Sequence, residues 1–166
     1  MNILIVTPIF PPEWRGPATY SFELAKRVSS KVITFTKNPV KIDGVPIFSV
    51  STSGGTLLRQ IRLFKKILEE AIGCDVIYAQ GADVVGFAAV IVGKLLRKLV
   101  VIKFVGDLSV EMVRDFNREV WYLMPVTKIT LNLADKIIFP AKHLQELICK
   151  KYNLNVEKTK VIYNAI

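Results

Sequence analysis

The stretch MNILIVTPIFPPEWRGPATYSFELAKRV, residues 1–28, decides the fold class of this chain. Its apolar run Ile3–Val6 predicts a buried strand, which must end by Pro8 because proline cannot donate to a sheet ladder. From Ala18 onward apolar side chains recur at helical spacing, which predicts a helix over 16–29. A strand, a long loop, a glycine and a helix in this order are typical of a ligand-binding crevice in an open α/β sheet.

The loop between this strand and helix is the first candidate binding element. An ordinary loop at such a position needs only about 2–6 residues. The segment Pro8–Pro17 is longer, and it carries Trp14 and Arg15 beside a glycine. Because glycine permits close approach and a helix start attracts anions, we predict that Arg15, Gly16 and Pro17 bind substrate.

Composition points to one α/β domain with a large core. The chain has 166 residues, of which 51% are hydrophobic. Its longest apolar stretch, Val84–Leu96, contains glycine and lysine and is shorter than the ~20 residues that span a bilayer. The N-terminus lacks the pattern of a secretory signal, so we expect the chain in the cytoplasm.

The charge of the chain predicts phosphate-bearing partners. A net charge of +9 attracts nucleotide-activated substrates, anionic lipid head groups or nucleic acid, but no nucleic-acid-binding motif is present and we predict no nucleic acid partner. Cys74 and Cys149 lack metal or redox spacing and are interpreted as reduced core thiols. His143 is the single histidine, which disfavours a zinc site or a Ser/His/Asp triad. We predict no metal and no cofactor.

Short β-type runs alternate with longer helical patterns along the whole chain. Strands are predicted near 2–7, 31–36, 46–50, 75–79, 100–105, 136–139 and 160–163. Helices are predicted near 16–29, 56–72, 82–97, 110–133 and 141–151, and no helix fits the link between 37 and 55, where several turn signals occur. This alternation predicts an α/β fold with a doubly wound, mainly parallel Rossmann-like sheet flanked by helices.

The predicted helix over 56–72 carries its charges in an unfavourable order. Basic residues lie near its N-terminus, although a helix stabilises negative charge there. They are Arg59, Arg62 and Lys66. The apolar face expected to pack on the sheet consists of Leu57, Ile61, Phe64, Leu68, Ala71 and Ile72. The basic face is either solvated or a contact with an anionic membrane surface, which would place the chain peripherally on the inner face of the membrane.

Two further loops follow predicted central strands and complete the candidate site. The chain has no GxGxxG after its first strand and no P-loop, which disfavours dehydrogenases and P-loop nucleotidases. Parallel strands bring their carboxyl ends to one edge, so these loops should converge with the first. Their predicted substrate-binding residues are Gln80, Gly81, Gly106 and Ser109. Capping a helix is the alternative role for Asp83, Asp107 and Ser109.

Four stretches together resemble the N-terminal half of the glycosyltransferase group 1 superfamily, the retaining enzymes of the GT-B fold. They are ILIVTPIFPPEWRGPATYSFELAKRV, DVIYAQG, LADKIIFPAKHLQELI and KVIYNAI, in that order along nearly the whole chain. The departures are Pro17 for a second glycine, Gly106 for a frequent histidine, Ala141 for a serine and Ala165 for a glycine. Gly106-Asp107 with Glu111 is similar to one branch of the family.

The resemblance implies a function for a single domain spanning 1–166. This domain would bind the acceptor, a glycan or a lipid-linked acceptor, while a C-terminal domain absent from this chain would hold most of the nucleotide-sugar donor. The fragment alone would be inactive. The resemblance places Asp107 and Glu111 as catalytic residues near the reacting sugars, with Arg15 and Gly16 near the diphosphate and Gln80 and Gly81 on the floor.

Two other functions fit the same residues. One is half of a GT-B-like sugar-nucleotide epimerase, which shares the architecture. The other is a non-catalytic module that binds an anionic glycan or lipid. The sequence beyond Ile166 would separate them, because a second domain with paired glutamates favours transfer.

Overall fold

The computed structural model describes residues 1–107, 112 and 120–164 of the chain. The strands are β1 Ile3–Thr7, β2 Ser30–Thr34, β3 Ile47–Ser49, β4 Val76–Gln80, β5 Leu99–Lys103, β6 Lys136–Phe139 and β7 Thr159–Val161. The α-helices are α1 Gly16–Arg27, α2 Gly55–Ala71, α3 Val84–Leu95, α4 Leu123–Leu133 and α5 Lys142–Tyr152, and a 3₁₀ turn covers Val156–Lys158.

The described strands form one parallel sheet, which confirms the predicted fold class. Seven strands run in the order β3-β2-β1-β4-β5-β6-β7, and each neighbouring pair is parallel. The order reverses direction between β1 and β4, so this pair forms the switch point where open α/β sheets bind ligands. The predicted helix over 110–133 is confirmed as α4 for its last part, while 108–111 and 113–119 lie outside the described residues.

The core has two layers because successive strand residues point to opposite faces of the sheet. On one face Leu4 and Val6 belong to a large buried cluster that includes residues of α2, α3, α4 and α5. On the other face Ile5 and Tyr78 pack with Ala25 of α1. The helices therefore cover both faces, as the continuous apolar strands predict.

The prediction for the packing face of α2 is wrong in part. The helix contacts the core through Leu63, Ile67 and Ala71, whereas Leu57 and Ile61 are exposed. The predicted core residue Ile72 lies after the helix and is also exposed. The buried residues and the exposed Leu57 and Ile61 form two apolar rows on adjacent sides of α2. Hydrophobic periodicity alone therefore does not select the row that meets the sheet.

Candidate functional site

The loops after β1 and β4 meet at the switch point, as predicted, and Gln80 joins them. The side-chain amide of Gln80 donates to the carbonyl of Pro17 at 3.0 Å and to Oγ of Ser21 at 2.7 Å. Gln80 is fully buried beneath the start of α1. It therefore holds α1 in place from below and does not line an open floor in this structure.

The start of α1 is shaped for an anion. Arg15 is the N-cap residue with extended backbone, Pro17 lies in the first turn as expected, and no side chain caps the helix. The first turn also contains no acidic residue. Gly16 is exposed, and a Cβ built on it would meet nothing within 4 Å. Backbone N–H groups and the helix dipole thus face an unobstructed approach for a phosphate.

Sequence reasoning missed a cleft beside this loop. The cleft has a volume of about 520 Å³ and includes Glu13, Thr36, Lys37 and Asn38 in its lining. Oγ of Thr36 accepts from the N–H of Phe10 at 2.9 Å and lies 2.9 Å from Oε1 of Glu13, to which it can donate. The available signal was the position of residues 36–38 just after β2, whose carboxyl end lies at the same edge as that of β1.

The turn after β4 is fixed by its backbone. Gly81 adopts a φ of +104°, in the region that favours glycine, and its N–H donates to the carbonyl of Lys103 at 3.0 Å. Asp83 accepts from the N–H of Val85 at 2.9 Å and so caps α3, which confirms the capping interpretation of Asp83. Gly81 is buried, so its predicted role in substrate binding stays a prediction.

A group of buried polar side chains lies under α1, next to this turn. Lys103 pairs in register with Gln80, and its ammonium donates to the carbonyl of Ile162 at 3.1 Å and lies 4.7 Å from the ring centroid of Tyr20. Burial lowers the pKa of Lys103, and burial together with nearby Tyr20 raises the pKa of Tyr78. The group joins β4, β5 and the segment that follows β7 to α1.

Asp107 lies in a charged contact with α5. One carboxylate oxygen accepts from Nζ of Lys151 at 2.6 Å and from the hydroxyl of Tyr152 at 2.7 Å. Burial alone would lower the pKa of Lys151, but the Asp107 carboxylate outweighs it and holds that pKa above its usual value. Gly106 is half-buried, while Ser109 and Glu111 lie outside the described residues. The catalytic role of Asp107 stays a prediction.

Replacing Asp107 with asparagine should destabilise the fold. The substitution keeps one acceptor but removes the charge that faces Lys151, and a hydrogen bond to a charged group contributes about 1.5–3 kcal/mol. We expect the free energy of unfolding to fall by about 1–2 kcal/mol in urea denaturation. A double-mutant cycle with Lys151→Met should give a favourable coupling energy. Unchanged stability with lowered transfer would instead support contact with a sugar.

The basic residues of α2 have partners within the fold. Lys66 forms ion pairs with Glu69 and Glu70, and its ammonium lies 4.3 Å from the ring centroid of Phe48. Arg62 donates to the carbonyl of Ser53 at 2.5 Å. These contacts account for part of the reversed charge order without a membrane.

Arg59 also has a contact within the fold, because its guanidinium lies 5.4 Å from the ring centroid of Phe35. Contact of Arg59, Arg62 and Lys66 with an anionic membrane surface therefore stays a prediction. Within the described ranges, no group of three His, Cys, Asp or Glu residues could hold a metal ion. The same part of the chain has no helix long and apolar enough to cross a membrane.

The parallel sheet, its switch-point loops and its helices define the N-terminal half of a GT-B fold. Among solved structures, HepE from Anabaena, in complex with UDP and glucose, matches with a TM-score of 0.74 at 22% identity, over 100% of this chain and 45% of that one. A glycosyltransferase from Rickettsia africae matches with a TM-score of 0.70 at 16% identity, over 99% of this chain and 43% of that one. The chain belongs to Glycosyltransferase Family 4, whose pattern it matches over residues 10–166.

The same architecture occurs in another class of enzyme. A putative UDP-N-acetylglucosamine 2-epimerase from Listeria monocytogenes matches with a TM-score of 0.68 at 13% identity, over 95% of this chain and 44% of that one. The chain thus spans less than half the length of these structures. No curated protein matches its sequence.

Proposed function

We propose that this chain is the acceptor-binding half of a retaining glycosyltransferase that moves a sugar from a nucleotide-sugar donor to a glycan or a lipid-linked acceptor. Membership of Glycosyltransferase Family 4 carries this proposal. The UDP and glucose in the complex of the Anabaena protein support a nucleotide sugar as donor. The uncapped start of α1 supports a diphosphate at the switch point.

In this proposal the reaction takes place between two domains. A second domain holds most of the donor, and the start of α1, with Arg15 and Gly16, closes over the diphosphate. Closure excludes water and places an acceptor hydroxyl against the anomeric carbon, which supplies much of the rate enhancement. The bond from the anomeric carbon to the donor phosphate breaks, the bond to the acceptor oxygen forms, and the hydroxyl proton passes to the leaving phosphate.

Asp107 has a positioning role in this scheme. Its ion pair with Lys151 and its hydrogen bond with Tyr152 fix the segment after β5 against α5. Glu111 follows four residues later in the sequence and remains the proposed contact with the reacting sugar.

Purified residues 1–166 should transfer no sugar, because most of the proposed donor site lies in the second domain. The measurement is release of UDP from UDP-sugars, with mass spectrometry of candidate acceptors, for this chain and for a form extended by the second domain. The extended form should give glycosylated product. Transfer by residues 1–166 alone would contradict the proposed division of the site, and hydrolysis or inertness of the extended form would contradict transfer.

The second candidate is half of a sugar-nucleotide epimerase, which the fold match with the Listeria protein favours. Product analysis separates the two functions, because an epimerase returns a nucleotide sugar with one inverted centre and leaves the acceptor unchanged. The extended form is incubated with UDP-N-acetylglucosamine without acceptor. We expect no epimerised nucleotide sugar.

A further inference from the structure

An apolar groove between α2, α3 and α4 is not used by the proposed contacts with the donor. Its volume is about 800 Å³, within the range of about 300–1,000 Å³ typical of small-molecule sites. The side chains that give it its apolar character include Leu57, Ile61, Phe64, Leu68, Phe87 and Val126. A groove of this composition suits a hydrocarbon chain.

The groove reaches the edge of the sheet that carries the candidate site. Helices that follow parallel strands begin at the carboxyl edge, and α4, which leads into β6, also begins there. The groove is lined by the first turns of these helices, at Thr56 of α2, Val84 of α3 and Tyr122 just before α4. Val84 directly follows Asp83 in the turn after β4. A molecule in the groove can therefore extend to the switch-point rim.

The outer lip of the groove exposes large apolar side chains to solvent. Leu57 is 75% exposed and Ile61 is 57% exposed, although both lie on an amphipathic helix of a folded domain. Trp121, next to the groove residue Tyr122, is 86% exposed. Leu57 and Ile61 lie one helical turn apart on α2, and exposed apolar side chains that adjoin an apolar groove are typical of a binding surface.

The charges around the lip favour an anionic amphiphile. Exposed Lys65 lines the groove, with its ammonium 4.0 Å from the Glu69 carboxylate, and Lys128 of α4 is also exposed. Residues 55–68 and 121–133 contain no Asp or Glu. A second copy of this chain would bring the same positive charges against each other, which disfavours it as the occupant. The N-cap residue of α2 provides no side-chain cap, so the start of that helix adds further positive potential.

We infer that the groove holds the hydrocarbon tail of a lipid-linked acceptor, with the acceptor's phosphate at the basic lip and its sugar at the rim. The role of this lipid as an acceptor rests on the proposed function, but binding of its tail needs neither a donor nor a second domain. In this arrangement the lipid contacts the apolar side of α2 and not the basic side with Arg59, Arg62 and Lys66.

The test measures binding of farnesyl phosphate to residues 1–166 by calorimetry, with isopentenyl phosphate as the probe that keeps the phosphate and shortens the tail. Farnesyl phosphate should bind at least about tenfold more tightly. The double variant Leu57→Asn/Ile61→Asn should lose about tenfold or more of this affinity, because both side chains lie at the lip and would cover the tail. Both are exposed in the free protein, so the substitutions should leave the fold intact.

Two further variants keep the test specific. Leu95→Asn makes the same change at a residue that is 64% exposed at the far end of α3, and it should leave affinity unchanged. Val126→Trp fills the groove with a larger, mainly apolar side chain, and it should weaken binding of farnesyl phosphate but not of isopentenyl phosphate. Circular dichroism checks that each variant is folded. If Val126→Trp does not fold, the double variant alone decides whether the tail lies in the groove.

Several results would overturn the inference. Equal affinity for the two phosphates, or a double variant that binds like the parent, would reject a tail in the groove. If the double variant lost sedimentation with phosphatidylglycerol vesicles but kept soluble farnesyl phosphate, the lip would dock on a bilayer instead. If farnesyl phosphate bound but the extended form transferred no sugar, only the proposed function would be contradicted. If the extended form transferred sugar to a water-soluble glycan and farnesyl phosphate did not bind, only the placement of a lipid tail in the groove would be contradicted.

Discussion

Replacing Gly86 with alanine is expected to lower the free energy of unfolding by about 2–3 kcal/mol, through overpacking against backbone. A Cβ at this position would lie 2.3 Å from the carbonyl oxygen of Gly81 and 3.0 Å from Cγ2 of Thr130. The turn at Gly81 cannot move away easily, because its N–H is bonded to the carbonyl of Lys103 and its φ is +104°. Each kcal/mol lost should lower the melting temperature by about 2–4 °C.

The sign of this effect makes the experiment informative. At an unhindered position inside a helix, glycine to alanine stabilises by about 1 kcal/mol. Gly16→Ala is the matched control, because a Cβ there meets nothing within 4 Å, and it should leave stability unchanged or raise it slightly. The measurement is thermal and urea denaturation of both variants beside the parent. If Gly86→Ala were as stable as the control, α3 would not be packed against the turn after β4 as the structure shows.

The fold could be predicted because its signals are local. Proline after β1, a helical repeat from Ala18 and continuous apolar strands each act within a few residues. The helices and strands predicted from the sequence therefore nearly coincide with those in the structure. Residues 37–54 also contain no helix, as the turn signals in that link predict.

The contacts of the site could not be predicted in the same way. Asp107 meets Lys151 and Gln80 meets Pro17 across 44 and 63 residues of sequence, and no local pattern specifies such a partner. The exposed row of α2 was missed for a related reason, since Leu63 and Leu57 are equally apolar and only tertiary packing decides which is buried. Local patterns thus predict the edge of the sheet at which the loops meet, while long-range contacts decide what each side chain does there.

Replacing Gly16 with valine should leave the fold intact and abolish most sugar transfer in the form extended by the second domain. The new side chain meets no neighbour within 4 Å, so stability should change by less than about 1 kcal/mol. It would project from the exposed start of α1, where the proposed diphosphate approaches the backbone N–H groups. Holding the diphosphate away from these N–H groups acts like removing one donor to a developing charge, which typically costs about a hundredfold or more in turnover.

A graded series identifies the cause of this loss. Gly16→Ala adds one carbon and should have an intermediate effect, while Leu95→Asn, far from the rim, should leave turnover unchanged. If close approach of the diphosphate is what matters, the valine variant should bind UDP more weakly in calorimetry, and higher donor concentration should restore part of the rate. A valine variant with normal turnover and normal UDP affinity would remove the loop after β1 from the donor site. The buried contact of Gln80 with Pro17 would then serve only to hold α1 on the sheet, because the residues above it would have no ligand to position.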